Sequence, residues 1–184
     1  RTILATNSSV IPVATVAERL DDASARRVIG THFWNPPELI PLVEVIQGPR
    51  SDVEAVTRTL AILRDVGKQP VHVRRDVVPG NRLQHALWRE AMALVEEGVC
   101  APEDVDAIIK NSFGLRLAVL GPLENADLVG LELTADIRGR DRNSPVTLQN
   151  AFNQVHAPEQ VIARGGTRYD DGVIVVNHTG THGL

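Results

Sequence analysis

Residues 30–45 read GTHFWNPPELIPLVEV, and this stretch decides the fold. His32 follows Val28 and Ile29, and Glu44 lies between Val43 and Val45, so each stands in a short run of strand-forming residues. Asn35-Pro36-Pro37 between them cannot continue a ladder, because proline lacks the amide donor and fixes its own φ. The stretch therefore reads as two strands, 27–33 and 42–47, joined by a polar crossing and closed by Gly48-Pro49. An imidazole and a carboxylate in neighbouring strands have a chemical use. A carboxylate that accepts from one ring nitrogen fixes the tautomer, leaves the other nitrogen free to take a proton, and stabilises the imidazolium that forms. Spacing alone leaves a second reading open: a satisfied core histidine, with Glu44 at a strand end in water.

Working outward, residues 2–6 (TILAT) read as a short buried strand that ends at Asn7-Ser8-Ser9, with a helical stretch near Val13–Leu20. Residues 51–66 carry the clearest helical pattern. Ser51 and Glu54 have capping-box spacing, Val53, Val56, Leu60 and Leu63 form the apolar face, and Gly67 is placed to terminate it. QPVHVRR is a fourth strand, with His72 between two valines. Strands interleaved with helices predict an α/β layer over residues 1–78.

From Pro79-Gly80 the pattern becomes helical. Asn81–Glu97 is amphipathic through Leu83, Leu87, Leu94 and Val95. Pro102 suits a helix start, with Glu103 and Asp104 in its first turn and Gly114 at its stop. A further helix follows Leu120-Gly121-Pro122. The expected organisation is an α/β domain over 1–78, an all-helical domain over 79–137 and an unassigned tail over 138–184. In that tail a helix over 146–163 and a strand over 173–176 are expected. A cleft between two such domains is a usual place for a substrate.

Composition narrows the function classes. Of 184 residues, 43% are hydrophobic, enough for a real core, and 19 basic against 23 acidic residues give a net charge of −4. That balance points away from nucleic acid and anionic membrane as partners. The single cysteine, Cys100, excludes an internal disulfide and fits a reducing, cytoplasmic setting. No apolar run approaches the roughly 18 residues of a membrane span, and no signal peptide is visible. The opening Arg1–Thr6 reads as the middle of a strand, so a preceding segment is expected.

HFWNPPELIPLVEVIQG (32–48) closely resembles the His-Phe-(Phe/Trp)-Asn-Pro…Leu-Val-Glu-Val segment of the L-3-hydroxyacyl-CoA dehydrogenase family. Four more passages fall in that family's order: ATNSSVIPV (5–13), VGKQPVHVRRDVVPGNR (66–82), EAMALVEEGVCAPEDVD (90–106) and GPLENADLVG (121–130). The Trp34-Asn35-Pro36-Pro37 wording is most similar to the branch with short-chain hydroxyacyl-CoA, L-gulonate and lambda-crystallin-type members. The resemblance covers about residues 1–137. It implies the C-terminal part of a Rossmann-like NAD-binding domain followed by a helical domain for dimerisation and substrate, NAD as cofactor, an acyl-CoA or free hydroxy-acid substrate, and a homodimer. It also implies roles. His32 would be the base that deprotonates the substrate 3-hydroxyl, and Glu44 would orient it. Ser9 and Asn81 would hold the reacting oxygen, and Asn7 and Asn35 would lie at the cofactor. From the residues themselves, Ser9 and Asn81 read equally well as helix caps, Asn35 as a turn residue, and Trp34 and Trp88 as packing.

The sequence departs from that family in three places. The Gly-x-Gly-x-x-Gly turn that cradles a dinucleotide pyrophosphate, which the family places earlier in its chain, is not among these residues. Pro79-Gly80 runs directly into Asn81-Arg82, where the family carries about three more residues, nearly one helical turn, so Asn81 is expected to shift relative to the site. RYDDGVIVVNHTGTHGL (168–184) instead resembles the His-x-Gly-Thr-His segment of cyclase-type metal-dependent hydrolases. His178 and His182 would be its ligands there, but Leu184 stands where that family has an acidic residue, and two ligands do not close a site. No metal is expected. The alternatives to an oxidoreductase are a non-catalytic crystallin-like protein and a hydrolase built on the tail.

Overall fold

The computed structural model describes residues 2–130 and two short strands further on, Thr167–Arg168 and Ile174–Val175. The chain divides into two compact units, Arg1–Val99 and Cys100–Leu184.

A four-stranded mixed sheet organises the first unit. Its strands are β1 (Leu4–Thr6), β2 (Val28–Phe33), β3 (Leu42–Ile46) and β4 (Gln69–Val73), side by side in sequence order. β1 runs parallel to β2, β2 antiparallel to β3, and β3 parallel to β4. The Asn35-Pro36 peptide is cis and lies in the crossing that reverses the chain between β2 and β3.

Each face of the sheet carries its own core. On one, Ile29, Val43 and Val45 pack against Ala55, Val56 and Leu63 of α3 (Val53–Asp65). On the other, Val28, Ile46 and Val73 meet Val13 and Ala17 around α1 (Val13–Val16) and Ala25 of α2 (Asp22–Ala25). Val78 closes this second cluster, so the chain leaving β4 folds back over the same face before α4 (Pro79–Glu96). Gly30 is required there: a Cβ would stand 2.9 Å from the Cβ of Ile46. Gly67 takes φ +80°, and the amides of Gly67 and Lys68 bond back to Arg64 (2.9 Å) and Leu63 (2.9 Å), a Schellman ending for α3.

The second unit contains α5 (Pro102–Asn111), α6 (Phe113–Leu117) and α7 (Pro122–Val129). α5 and α7 each start on proline, and the Gly121 amide donates to Glu124 Oε2 at 2.8 Å. The two short strands, β5 (Thr167–Arg168) and β6 (Ile174–Val175), pair antiparallel. Among the described residues no helix is long and apolar enough to cross a membrane. The architecture is α/β followed by helices, as expected. The compact-unit boundary falls after Val99, while the change in sequence character falls at Pro79.

Several local expectations need correction. The helix expected near Val13–Leu20 covers only Val13–Val16, with Pro12 as an N-cap that offers no side-chain bond, and a separate short helix follows at Asp22–Ala25, where Asp21 accepts from Ser24 N–H at 3.0 Å. The Ser24 hydroxyl first, and then this amide bond, favour the ionised form and hold the exposed Asp21 carboxyl below its usual range. Ser51 does not form a capping box. Its buried hydroxyl donates to the Val28 carbonyl at 2.5 Å and accepts from Gly48 N–H at 2.9 Å, and Asp52 is the N-cap. Val53 faces solvent, while Ala55 and Thr59 share the buried face of α3. Gly114 lies inside α6, and the break falls at Ser112, whose backbone leaves the helical region.

Candidate active site

The register of β2 on β3 builds the centre. His32 pairs directly with Glu44, and opposite residues of an antiparallel pair project from the same face. Both are buried, at 5% and 3% exposure. His32 Nδ1 meets Glu44 Oε2 at 2.8 Å. A carboxylate only accepts, so Nδ1 carries the hydrogen and Nε2 presents its lone pair. At Nε2 stands Ser9, with its Oγ 2.9 Å away. Ser9 follows the carboxyl end of β1, which runs parallel to β2, so both strands deliver their residues to one edge of the sheet. The result is a hydrogen-bonded line from Ser9 through His32 to Glu44. An exposed hydroxyl lies at one end and a buried acid at the other.

Glu44 is held by more than the histidine. Trp34 Nε1–H donates to the same Oε2 at 3.2 Å, and the Gly80 amide donates to Oε1 at 2.8 Å. Three donors fix both oxygens, so the carboxylate cannot rotate away from the imidazole. The Trp34 ring also meets the His32 ring edge-on, centroids 5.8 Å apart. From the sequence, Trp34 reads as packing and Gly80 has no role. Trp34 sits two residues from His32 on the strand's alternation, which carried a usable signal. Gly80 carried one only in hindsight, since a Cβ there would stand 2.3 Å from Trp34 Cζ2.

The other expected residues gather at the same edge to different degrees. Ser9 is not the cap of α1: its hydroxyl is on His32 and the N-cap is Pro12. Asn81 is not the N-cap of α4 either, because Val78 holds that position and Pro79 opens the helix. Its Nδ2 reaches the main-chain carbonyl of Ser9 at 3.4 Å, so the shortened connection still brings Asn81 to the Ser9 loop. Asn7 Oδ1 accepts from Phe33 N–H at 2.9 Å, tying the end of β1 to β2. Asn35 is exposed on the crossing. His72 pairs with Gln47 Oε1 at 3.0 Å, and the His85 and Trp88 rings lie 5.3 Å apart on α4. A cleft of about 450 Å³ between α2 and α3, lined by Arg26, Arg27 and Asp52 among others, contains none of these residues. Among the described residues no cluster of ligand types could hold a metal. His178 and His182 lie outside the described residues.

Comparison with known proteins bears on the fold and the family. A family model described as "3-hydroxyacyl-CoA dehydrogenase, NAD binding domain" matches residues 1–77, and its companion "C-terminal domain" matches residues 79–167. The second match runs beyond residue 137, the end of the stretch over which the motifs resemble the family. The chain is 37% identical over 159 residues to a 5-formyl-3-hydroxy-2-methylpyridine 4-carboxylate 5-dehydrogenase of Mesorhizobium japonicum, covering 80% of this chain and 50% of that one. It is 38% identical over 130 residues to lambda-crystallin of Oryctolagus cuniculus, covering 70% and 40%. A solved structure of 3-hydroxyacyl-CoA dehydrogenase from Archaeoglobus fulgidus superposes with TM-score 0.70 at 32% identity, covering 88% of this chain and 63% of that one. The chain spans about half the length of the curated relatives it matches.

The residues present suit the nicotinamide end of a dinucleotide. β1 and β2 end side by side, and the side chains of Asn7, Ser9 and Asn35 offer exposed amide and hydroxyl groups outside their carboxyl ends. The glycine-rich cradle for a pyrophosphate is not among residues 1–77.

Proposed function

Because the chain belongs to the 3-hydroxyacyl-CoA dehydrogenase family, we propose that it serves the NAD-dependent oxidation of an L-3-hydroxyacyl-CoA, or of a related 3-hydroxy acid, to the 3-keto product. One observation carries the reading: the Ser9–His32–Glu44 line at the edge where β1 and β2 end. In it, His32 Nε2 accepts the proton of the substrate 3-hydroxyl. Glu44 keeps the hydrogen on Nδ1 and offsets the charge of the imidazolium that forms. NAD, when bound, supplies the acceptor for the hydride leaving C3. The Ser9 hydroxyl and the Asn81 amide hold the reacting oxygen, as alcohol and then as carbonyl, and both group types can do so in either state. Asn7 and Asn35 line the nicotinamide side. The helices from Pro79 onward serve substrate handling and a homodimer contact, in a cytoplasmic setting.

The relatives' names include both a CoA-named enzyme and one named for a pyridine carboxylate, which supports keeping the acyl-CoA ester and the free hydroxy acid both in play. A second reading, a non-catalytic structural protein, is favoured by the likeness to lambda-crystallin. Cofactor binding and turnover separate the two. The full-length protein is titrated with NADH by fluorescence, then assayed at 340 nm with NAD and either a 3-hydroxyacyl-CoA or a free 3-hydroxy acid. Saturable binding with turnover of one substrate class supports the oxidoreductase and names the class. No binding up to millimolar cofactor supports the structural reading.

A further inference from the structure

Ser9 stands on the connection 7–12 between β1 and α1, and very little of that connection is anchored by burial. Val10 and Ile11 are 84% and 52% exposed. At its start the loop is tied by Asn7 to Phe33, and the Ser8 hydroxyl accepts from Ile11 N–H at 2.8 Å. Its far end is gripped from a distance. Asp76 Oδ1 accepts from Val13 N–H at 2.8 Å and Oδ2 from Ala14 N–H at 2.7 Å, across 63 and 62 residues of sequence. α1 has four residues and a proline N-cap, so it has no side-chain cap of its own. Asp76 fills that place with both oxygens, in charge-assisted bonds to orphan amides. The segment carrying Asp76 also delivers Gly80 to Glu44 and Asn81 to the Ser9 carbonyl. One connection thus sets both partners of His32.

We propose that Asp76 is a positioning residue for the reaction: by clamping the start of α1 it fixes where the Ser9 hydroxyl stands against His32 Nε2. Its kinetic part rests on the dehydrogenase reading above, and its structural part does not. The bidentate grip holds Val13 against the sheet, where its side chain is buried beside Gly30 and Gly48. Without the grip, the exposed Val10–Pro12 segment keeps the local Ser8–Ile11 bond and the Val13 side chain but loses its two charge-assisted ties to the segment that carries Gly80 and Asn81. A misplacement of about 1 Å at a reacting group costs on the order of a hundredfold in rate.

A double-mutant cycle tests this in the full-length protein with NAD and the substrate class that turns over. Asp76→Ala is expected to lower kcat by about ten- to a hundredfold, and to lower it no further in a Ser9→Ala background, because it acts only through Ser9. A residue that merely stabilises the fold would shift the unfolding midpoint but leave kcat per folded molecule unchanged in both backgrounds. Equal losses in both backgrounds, or no loss in either, overturn the proposal. Asp76→Asn keeps one carbonyl oxygen for one of the two amides. It serves where Asp76→Ala does not fold, and its kcat is expected between those of wild type and Asp76→Ala.

A ring-nitrogen spectrum of His32 gives a readout independent of turnover. Ser9→Ala removes the hydrogen bond at Nε2 and moves that resonance, and Asp76→Ala is expected to move it in the same direction. An Nε2 resonance that stays at the wild-type position in Asp76→Ala while moving in Ser9→Ala overturns the proposal. Wild-type turnover in His32→Ala would defeat the dehydrogenase reading instead, and the resonance would still decide the role of Asp76.

Discussion

Replacing Glu44 by glutamine should damage stability and chemistry by separable amounts. The wild-type carboxylate accepts three hydrogen bonds, from His32 and Trp34 at Oε2 and from the Gly80 amide at Oε1. An amide has one oxygen. If that oxygen takes the Oε2 position, its –NH2 faces the Gly80 N–H, donor against donor, in a site where Glu44 is 3% exposed. The Gly80 N–H and the new –NH2 are then both unsatisfied, at a cost of about 1–3 kcal/mol each. If the amide turns over, Trp34 loses its partner and the –NH2 meets His32 Nδ1, forcing the hydrogen to Nε2 and removing the base. In either orientation the negative charge that offsets the imidazolium is gone. Turnover should therefore fall by about 10²–10⁴, the range of a lost acid–base function. Glu44→Ala leaves all three donors without an acceptor and should cost more stability than Glu44→Gln, at about 1–3 kcal/mol for each unsatisfied buried donor. Urea unfolding and hydride transfer at 340 nm give the two numbers on the same preparation. A Glu44→Gln protein with wild-type midpoint and wild-type kcat would refute the reasoning, because it would show that neither the charge nor the second oxygen is used.

Two further changes test the frame. Gly80→Ala should be destabilising by about 1–3 kcal/mol through overpacking against Trp34, with a shift in tryptophan emission and lower kcat. Helix propensity alone predicts the opposite sign, by about 1 kcal/mol. Ser51→Ala should lose about 1–3 kcal/mol in urea unfolding, because the Val28 carbonyl and the Gly48 amide both lose a buried partner. It should leave kcat unchanged, since Ser51 touches none of the site.

The pattern of residues 27–47 made β2, β3 and their antiparallel return legible, because strand-formers, a proline-bearing crossing and a closing Gly-Pro are local signals. Once the strands pair, His32 and Glu44 need only the register to meet, and their positions in the two runs carry that register. Ser9 was legible through family resemblance, while its own chemistry fitted a helix cap equally well. What could not be read was whatever depends on distant pieces. Asp76 caps a helix 62 residues earlier in the chain, Gly80 offers a backbone amide that any residue type would carry, and Ser51 turns inward to β2 instead of capping the helix beside it. These contacts arise from tertiary placement, and no periodicity or local propensity encodes them. The early end of the helix after β1 and the separate helix at Asp22–Ala25 were not legible for a related reason. Pro12 and Asp21 set their starts, and the apolar period over 13–20 is too short to show the break.

The central claim is that an imidazole aligned by Glu44 takes the substrate proton. Single-turnover hydride transfer to NAD in the full-length protein, compared between wild type and His32→Ala at saturating substrate, tests it most directly. The account predicts a fall of at least about a hundredfold in the transfer rate, with cofactor binding retained. A transfer rate within a few fold of wild type would contradict it.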